Sequence, residues 1–362
     1  MTRQTALIDN LTRSGNSPAA LDAPDGSRAL ILAAYGRVIG LYAGDSDENF
    51  LWTNPALAAA ESAGAYFRRD GWLNPGGDRT WLAPEIELFI GDLARPGETY
   101  AVPPALDPGR WRPQGGTHGL RLSNESAVQL KRSGRAARFA LTKEYRPAAN
   151  PLRDMKPALS YAGYEQTTIL ELAADRDDAP PVRLGLWNLL QLPKPGRMIV
   201  ATYNRPEPRT VFGQVPSQDL ALGERALVWT MPDRGGNAKI SVKAPALTGR
   251  AGYLYRSIVH ATDWNLVVRN FDVNLSGDYV DALWSDPTDT GYAFQACAVN
   301  EGEETFNELE YHAPAAVSAE GRTHSCERSQ LWAFRGGFEE ISEAMRVLLG
   351  IHEINRSNKQ GD

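Results

Sequence analysis

Apolar and polar residues alternate with a period of two over many short stretches of this chain. The alternation runs through Glu85–Ile90 (EIELFI), Thr167–Leu172 (TTILEL), Arg197–Tyr203 (RMIVATY) and Lys239–Val242 (KISV), and it predicts half-buried strands. Residues 28–43 (RALILAAYGRVIGLYA) read as two apolar runs around Tyr35-Gly36-Arg37, the pattern of a hairpin. Further short apolar runs lie near 226–230, 266–273 and 292–299. Clusters of Gly, Pro, Asn or Asp at 74–78, 105–117, 175–181, 204–208 and 232–237 separate these segments. One stretch has helical spacing instead. From Phe338 the apolar residues Ile341, Ala344, Met345, Leu348 and Ile351 recur every three or four positions behind Glu339, Glu340 and Glu343, which predicts a C-terminal helix over 338–357. Residues 1–25 read as an N-terminal extension with a short helix. With neither an internal repeat nor a low-complexity linker, the expectation is one all-β domain over 1–362. Its architecture is a large two-sheet antiparallel β-sandwich ending in a helix.

Composition narrows the function more than the fold. Hydrophobic residues make up 42% and charged residues 23%, a globular balance. The net charge of −6 leaves no basic surplus to neutralise phosphates, so no nucleic-acid partner is expected. No run approaches the roughly 18 apolar residues of a membrane helix, so no membrane partner is expected either. The opening MTRQTALIDNLTRSGNSP has no apolar signal core, and a cytoplasmic location follows as the expectation. Two cysteines, Cys297 and Cys326, are too few for a disulfide scaffold. They read as small buried residues, and without CxxC spacing no thiol-bound metal is expected. Nine Trp and 13 Tyr could stack on sugar faces or simply fill a large β core.

Three segments carry candidate chemistry. In Gly71–Glu85 (GWLNPGGDRTWLAPE) an Asn-Pro-Gly-Gly turn delivers Asp78, Arg79 and Trp81 to a strand, with Glu85 following. Arg79 can grip adjacent hydroxyls or a carboxylate, and Trp81, two residues on, shares its face and could stack beneath a sugar. A structural Asp–Arg pair over a buried Trp is the competing reading. In Phe306–Pro314 (FNELEYHAP) Glu308, Glu310 and His312 point to one strand face, where close carboxylates raise one another's pKa. They mark either an acid–base site or a merely solvated face. Same-face neighbours about 6.6–7 Å apart are too widely spaced for these three alone to chelate one ion. A divalent cation therefore stays open, with no cofactor assigned. In Leu184–Leu192 (LGLWNLLQL) Trp187, Asn188 and Gln191 interrupt an apolar run and need polar partners, from a ligand or from backbone. His118, in a Gly-rich loop, and His260, near Trp264, could reach a pocket; His324 and His352 read as peripheral. Asp45-Ser46-Asp47-Glu48-Asn49 has acidic one-three-five spacing, but Phe50 and Ala56 occupy the positions that an EF-hand gives to Gly and Glu. There is no GxGxxG, Walker, GxSxG or HExxH motif.

Taken together these blocks resemble the galactose mutarotase (aldose 1-epimerase) superfamily, in particular bacterial branches with a GG-[HD]-R-x-W-x-x-PE motif. Here that motif is Gly76-Gly77-Asp78-Arg79-Thr80-Trp81-Leu82-Ala83-Pro84-Glu85. The resemblance runs from about residue 28 to 335 and implies the galactose mutarotase-like supersandwich with a concave sugar-binding face. Arg79 matches the family's sugar-holding arginine. Trp187-Asn188-Leu189 is similar to the family's central block, H-x-Y-F-N-L, and Glu310 stands in the place of the general base. Counting back from Asn188, the family's proton-donating His position is Leu184, and its Gln-like place is His312. The standard acid is therefore replaced, and His118, His260 or His312 would have to act for it.

Two functions follow. One is an enzyme acting on a sugar or uronic acid by epimerisation, β-elimination or glycoside cleavage, with Glu310 as base and a mono- or oligosaccharide as ligand. Glu308 and Glu310 share a strand and cannot flank a glycosidic bond, so a glycosidase would need Glu85 or Asp78 as well. The other is a non-catalytic carbohydrate-binding or sensing protein.

Overall fold

A computed structural model of the protein describes residues 2–114, 119–174, 180–319 and 321–351. Two antiparallel sheets dominate it, each with ten strands among the described residues. In the first, the order across the sheet is Ala19–Asp22, Arg28–Leu32, Arg37–Tyr42, Asp78–Ala83, Arg183–Leu192, Glu304–His312, Tyr292–Glu301, Ala238–Lys243 and Arg209–Phe212; Ala316–Val317 also pairs with Arg183–Leu192. The second runs Leu220–Leu222, Ala226–Met231, Gly196–Thr202, Leu247–Arg256, Trp264–Phe271, His324–Gly336, Ser160–Leu172, Ala136–Pro147, Leu120–Gln129 and Arg112–Gln114. This is the expected two-sheet sandwich.

The alternation of the strands sorts side chains between the two faces of the first sheet. Leu82, Leu186, Leu190, Leu309, Phe294 and Ile240 are buried in a core shared with Leu141, Tyr164, Leu170, Leu331 and Ala333 of the second sheet. Polar residues penetrate the same layer. Asp78 accepts hydrogen bonds from Arg269 and Tyr164, Thr80 donates to Asn188 (2.6 Å), and the Tyr311 hydroxyl donates to Glu327 (2.9 Å) and lies 2.7 Å from Ser329 Oγ. The C-terminal helix seals the outer face of the second sheet, where Ile341, Ala344, Met345 and Leu348 pack on Leu254, Leu266, Trp332 and Phe334.

The structure corrects three expectations. Glu85–Leu88 is a short helix, not a strand. The Glu85 N–H is held by Asp281 Oδ1 (2.8 Å), while Glu87 and Phe89 bond back to Pro84 and Glu85, so the backbone has no sheet partner to take. The C-terminal helix ends at Leu349, because Gly350 turns into the left-handed region (φ 69°) and caps it. Only Cys297 is buried; Cys326 is exposed, and both are free thiols. The acidic Asp45–Asn49 segment is a structural loop, in keeping with its departure from the EF-hand pattern: Glu48 is buried and accepts from Ser257 Oγ (2.6 Å), the Ile258 N–H (2.9 Å) and Asn265 Nδ2 (3.0 Å).

The Gly76-Gly77 pair has a steric reason. Both residues have positive φ (103° and 83°), and a Cβ at Gly77 would sit 2.0 Å from the Val38 carbonyl oxygen. Only glycine lets the backbone pass this close to its neighbour before the Asp78–Ala83 strand begins. Gly77→Ala is expected to destabilise the protein by at least about 1–3 kcal/mol, read as a lower urea midpoint at unchanged slope. A midpoint equal to that of the wild type would refute this.

Candidate functional site

Five neighbouring strands place a second set of side chains on the face of the first sheet turned away from the sandwich interior. Cross-strand pairing arranges them in rows. Lys239, Cys297, Glu308 and Gln191 form one row. Ser241, Gln295, Glu310, Leu189 and Arg79 form the next. His312, Trp187 and Trp81 form the third. The row of Glu308, Glu310 and His312 along one strand thus meets Arg79 and Trp81 through the strand carrying Trp187 and Gln191.

Ion pairs and hydrogen bonds tie these groups together. Arg79 Nη2 donates to Glu308 Oε1 (2.9 Å), which also accepts from Gln191 Nε2 (3.2 Å). Lys239 Nζ lies 3.1 Å from Glu310 Oε2 and 3.4 Å from Glu85 Oε2. Trp187 donates its indole N–H to Glu310 Oε2 (2.7 Å), and its ring lies beneath the Lys239 ammonium at 4.4 Å. The Arg79 guanidinium sits over Trp81 at 4.2 Å. His312 stacks on Trp187 (5.7 Å between centroids). Gln295 donates to Asp281 (2.7 Å) and Ser241 (2.9 Å), which leaves its carbonyl oxygen to accept from His312 Nε2 (3.1 Å). His312 Nδ1 is then the acceptor nitrogen.

Burial sets the protonation chemistry. Glu310 is fully buried, and this pushes its carboxyl up to about 8 against the opposing pull of Lys239. Burial raises Glu85 and Asp281 as well. Burial by itself would lower the Lys239 ammonium, but Glu310, Glu85 and Asp281 hold it above its ordinary value. His312 is held well below its usual range by burial and by Lys239, so its imidazole is neutral. The Cys297 thiol is raised by burial and by Glu308 and Glu310.

Segments outside the sheet cover this face. Tyr100 donates to Glu85 Oε1 (3.0 Å) and Trp284 to Glu85 Oε2 (2.9 Å), with Phe212 stacked on Trp284 (4.6 Å). At the Arg79 end, Trp72 (3.0 Å) and Trp81 (3.2 Å) donate to Asp107 Oδ2, which also pairs with Arg37. Trp72 is 39% exposed, so this end of the cluster meets solvent. Beneath the cover several buried polar atoms have no hydrogen-bond partner among the described residues: donors at Arg79 Nε and Nη1, and acceptors at Glu310 Oε1, His312 Nδ1 and Gln191 Oε1.

Arg79, Trp81, Glu85, Trp187, Gln191, Glu308, Glu310 and His312 therefore come together. Asp78 and Asn188 do not: each is one residue out of phase with this face and points into the sandwich, Asp78 to Arg269 and Asn188 to Thr80 and Gln166. His260 lies in a turn beside Ser46 (3.5 Å), apart from the group. His118 lies outside the described residues. Lys239, Asp281, Gln295 and Cys297 were missed by sequence reasoning. Lys239 and Gln295 had a signal, a polar residue inside an apolar strand; Asp281 had none.

The fold is similar to that of the Slr1438 protein from Synechocystis sp. PCC 6803, at 11% identity over 88% of this chain and 95% of that one (TM-score 0.50). A candidate aldose 1-epimerase from Escherichia coli K12 matches at 11% identity over 89% and 99% of the two chains (TM-score 0.47). A galactose mutarotase-like protein from Lactobacillus casei ATCC 334 matches at 10% over 88% and 100% (TM-score 0.46). No protein-family model matches the sequence, and no curated protein matches it.

Proposed function

We propose that the protein is a galactose mutarotase-like carbohydrate-active protein and that it acts on a sugar by proton transfer at Glu310. The observation that carries this reading is the coexistence, on one buried face, of unpartnered donors on Arg79 and unpartnered acceptors on Glu310, His312 and Gln191. A hydroxyl group is both donor and acceptor, and a polyhydroxylated ring answers both sets at once. Trp81 and Trp187, buried beneath Arg79 and Lys239, hold these cations in place on the same face.

Glu310 Oε2 is already occupied by Trp187 and Lys239, so Oε1 is the atom that exchanges a proton with substrate. A carboxyl that titrates near 8 can both hold and release its proton close to neutral pH, as general acid–base catalysis requires. His312, neutral and with Nδ1 as acceptor, orients a hydroxyl rather than donating a proton. A second reading, sugar binding without turnover, is favoured by Leu184, which is apolar and buried where the resemblance implies an acid.

The test is a thermal-shift screen of neutral pyranoses, uronates and short oligosaccharides. A saccharide at one hundred times its Kd stabilises by about 2.7 kcal/mol, a rise of roughly 3–6 °C in Tm. An acyclic polyol of equal hydroxyl count should leave Tm unchanged. If no saccharide moves Tm, both readings fail.

A further inference from the structure

Cys297 Sγ and one carboxylate oxygen each of Glu308 and Glu310 lie within 4.8 Å of one another, all three residues buried. The sheet register assembles them. Cys297 faces Glu308 across paired strands, and Glu310 follows two residues along on the same face. The third member thus comes from the neighbouring strand rather than from His312, which removes the spacing objection raised by a single strand. Two further observations point to a ligand. Glu310 Oε1 and, beside Glu308, Gln191 Oε1 are buried acceptors without a partner among the described residues. In addition, four buried carboxylates (Glu85, Asp281, Glu308 and Glu310) face two cations, Arg79 and Lys239, an excess of two negative charges when all are ionised. Burying uncompensated charge is costly, and with the Cys297 thiolate that the ion requires the excess is three, of which one ion of charge +2 offsets two.

We propose that Cys297, Glu308 and Glu310 form a binding site for one divalent first-row transition-metal ion. One thiolate with two carboxylates suits zinc or cobalt(II) in a four-coordinate site with one open position. Bond lengths of about 2.3 Å to sulfur and 2.0–2.2 Å to oxygen set ligand separations of roughly 3.3–3.7 Å, so inward shifts of about 1 Å close the site. Arg79 and Lys239 engage Glu308 Oε1 and Glu310 Oε2, which leaves Glu310 Oε1 to meet the ion. The ion would take the Glu310 Oε1 that the metal-free protein offers to a sugar, so the two are alternative occupants of one face, and the ion can be counted with no sugar present.

The experiment strips the intact protein with a chelator and titrates it with cobalt(II), then with zinc. One cobalt per chain and a sulfur-to-cobalt charge-transfer band in the near ultraviolet are expected, with zinc displacing both. Cys297→Ser should abolish the band and weaken binding at least about tenfold. Cys326→Ser, which alters the exposed thiol, should bind as the wild type does. Absence of stoichiometric binding to the wild type overturns the proposal whether or not the Cys297 variant folds. So does a band that survives Cys297→Ser, or one that is lost in Cys326→Ser.

Discussion

Lys239→Met is expected to cost about 3–5 kcal/mol of stability near neutral pH, because it strands buried carboxylates without their cation. The ammonium is shared between Glu310 and Glu85 and rests on the Trp187 ring, so its removal breaks three contacts at once. Methionine fills much of the volume, which confines the effect to charge. The sign of the pH dependence follows from linkage. Without the ammonium, the carboxyls of Glu310 and Glu85 rise further above their unfolded values. Groups raised in this way contribute stability that is present at low pH and disappears as pH climbs through the folded pKa. The variant should therefore lie closer to the wild type near pH 5 than near pH 8.5. Urea unfolding at the two pH values measures this, and a deficit below about 1 kcal/mol at the higher pH would show that Lys239 does not compensate these acids.

Glu310→Gln should separate chemistry from folding. If Glu310 transfers the proton, turnover of any saccharide found to react falls by about 10²–10⁴ while saccharide binding stays close to that of the wild type. Its effect on stability has the opposite sign. Glu310 goes from 4.5 in the unfolded protein to about 8 in the folded one, so the wild type loses stability as pH rises through that window. Glutamine is isosteric with the protonated acid and does not titrate. In metal-free protein the variant should match the wild type below about pH 4.5 and exceed it by an amount on the order of a few kcal/mol above about pH 8. Unchanged turnover would remove Glu310 from the reaction, and parallel pH profiles would show that its burial imposes no penalty.

Much of the sandwich could be read from alternation alone. The segments around 167–172, 197–203 and 239–242 lie in strands, because period two over an apolar face has few other solutions, and the two apolar runs of 28–43 form the expected hairpin of Arg28–Leu32 and Arg37–Tyr42. Glu85–Ile90 shows where that reasoning runs out. Glu-Ile-Glu-Leu fits a strand or one helical turn equally well, and the decision rests with Asp281, 196 residues away. At the site, alternation by itself paired Arg79 with Trp81 and Glu308 with Glu310 and His312. The same rule applied strictly would have turned Asp78 and Asn188 to the other face. The partners of Glu310 were hidden for a different reason. Lys239 and Cys297 reach it only through the register of three strands, which no local pattern encodes.

The strand Arg183–Leu192 is bonded on one side to Asp78–Ala83 and on the other to Glu304–His312. During synthesis the first partner has long been made when the middle strand emerges, but the second follows more than 100 residues later. At a ribosomal pace of roughly 5–20 residues per second, one edge of the middle strand stays unpaired for several seconds or longer. Its apolar run, Leu184 to Leu192, is thus a segment of the nascent polypeptide that calls for a chaperone's protection.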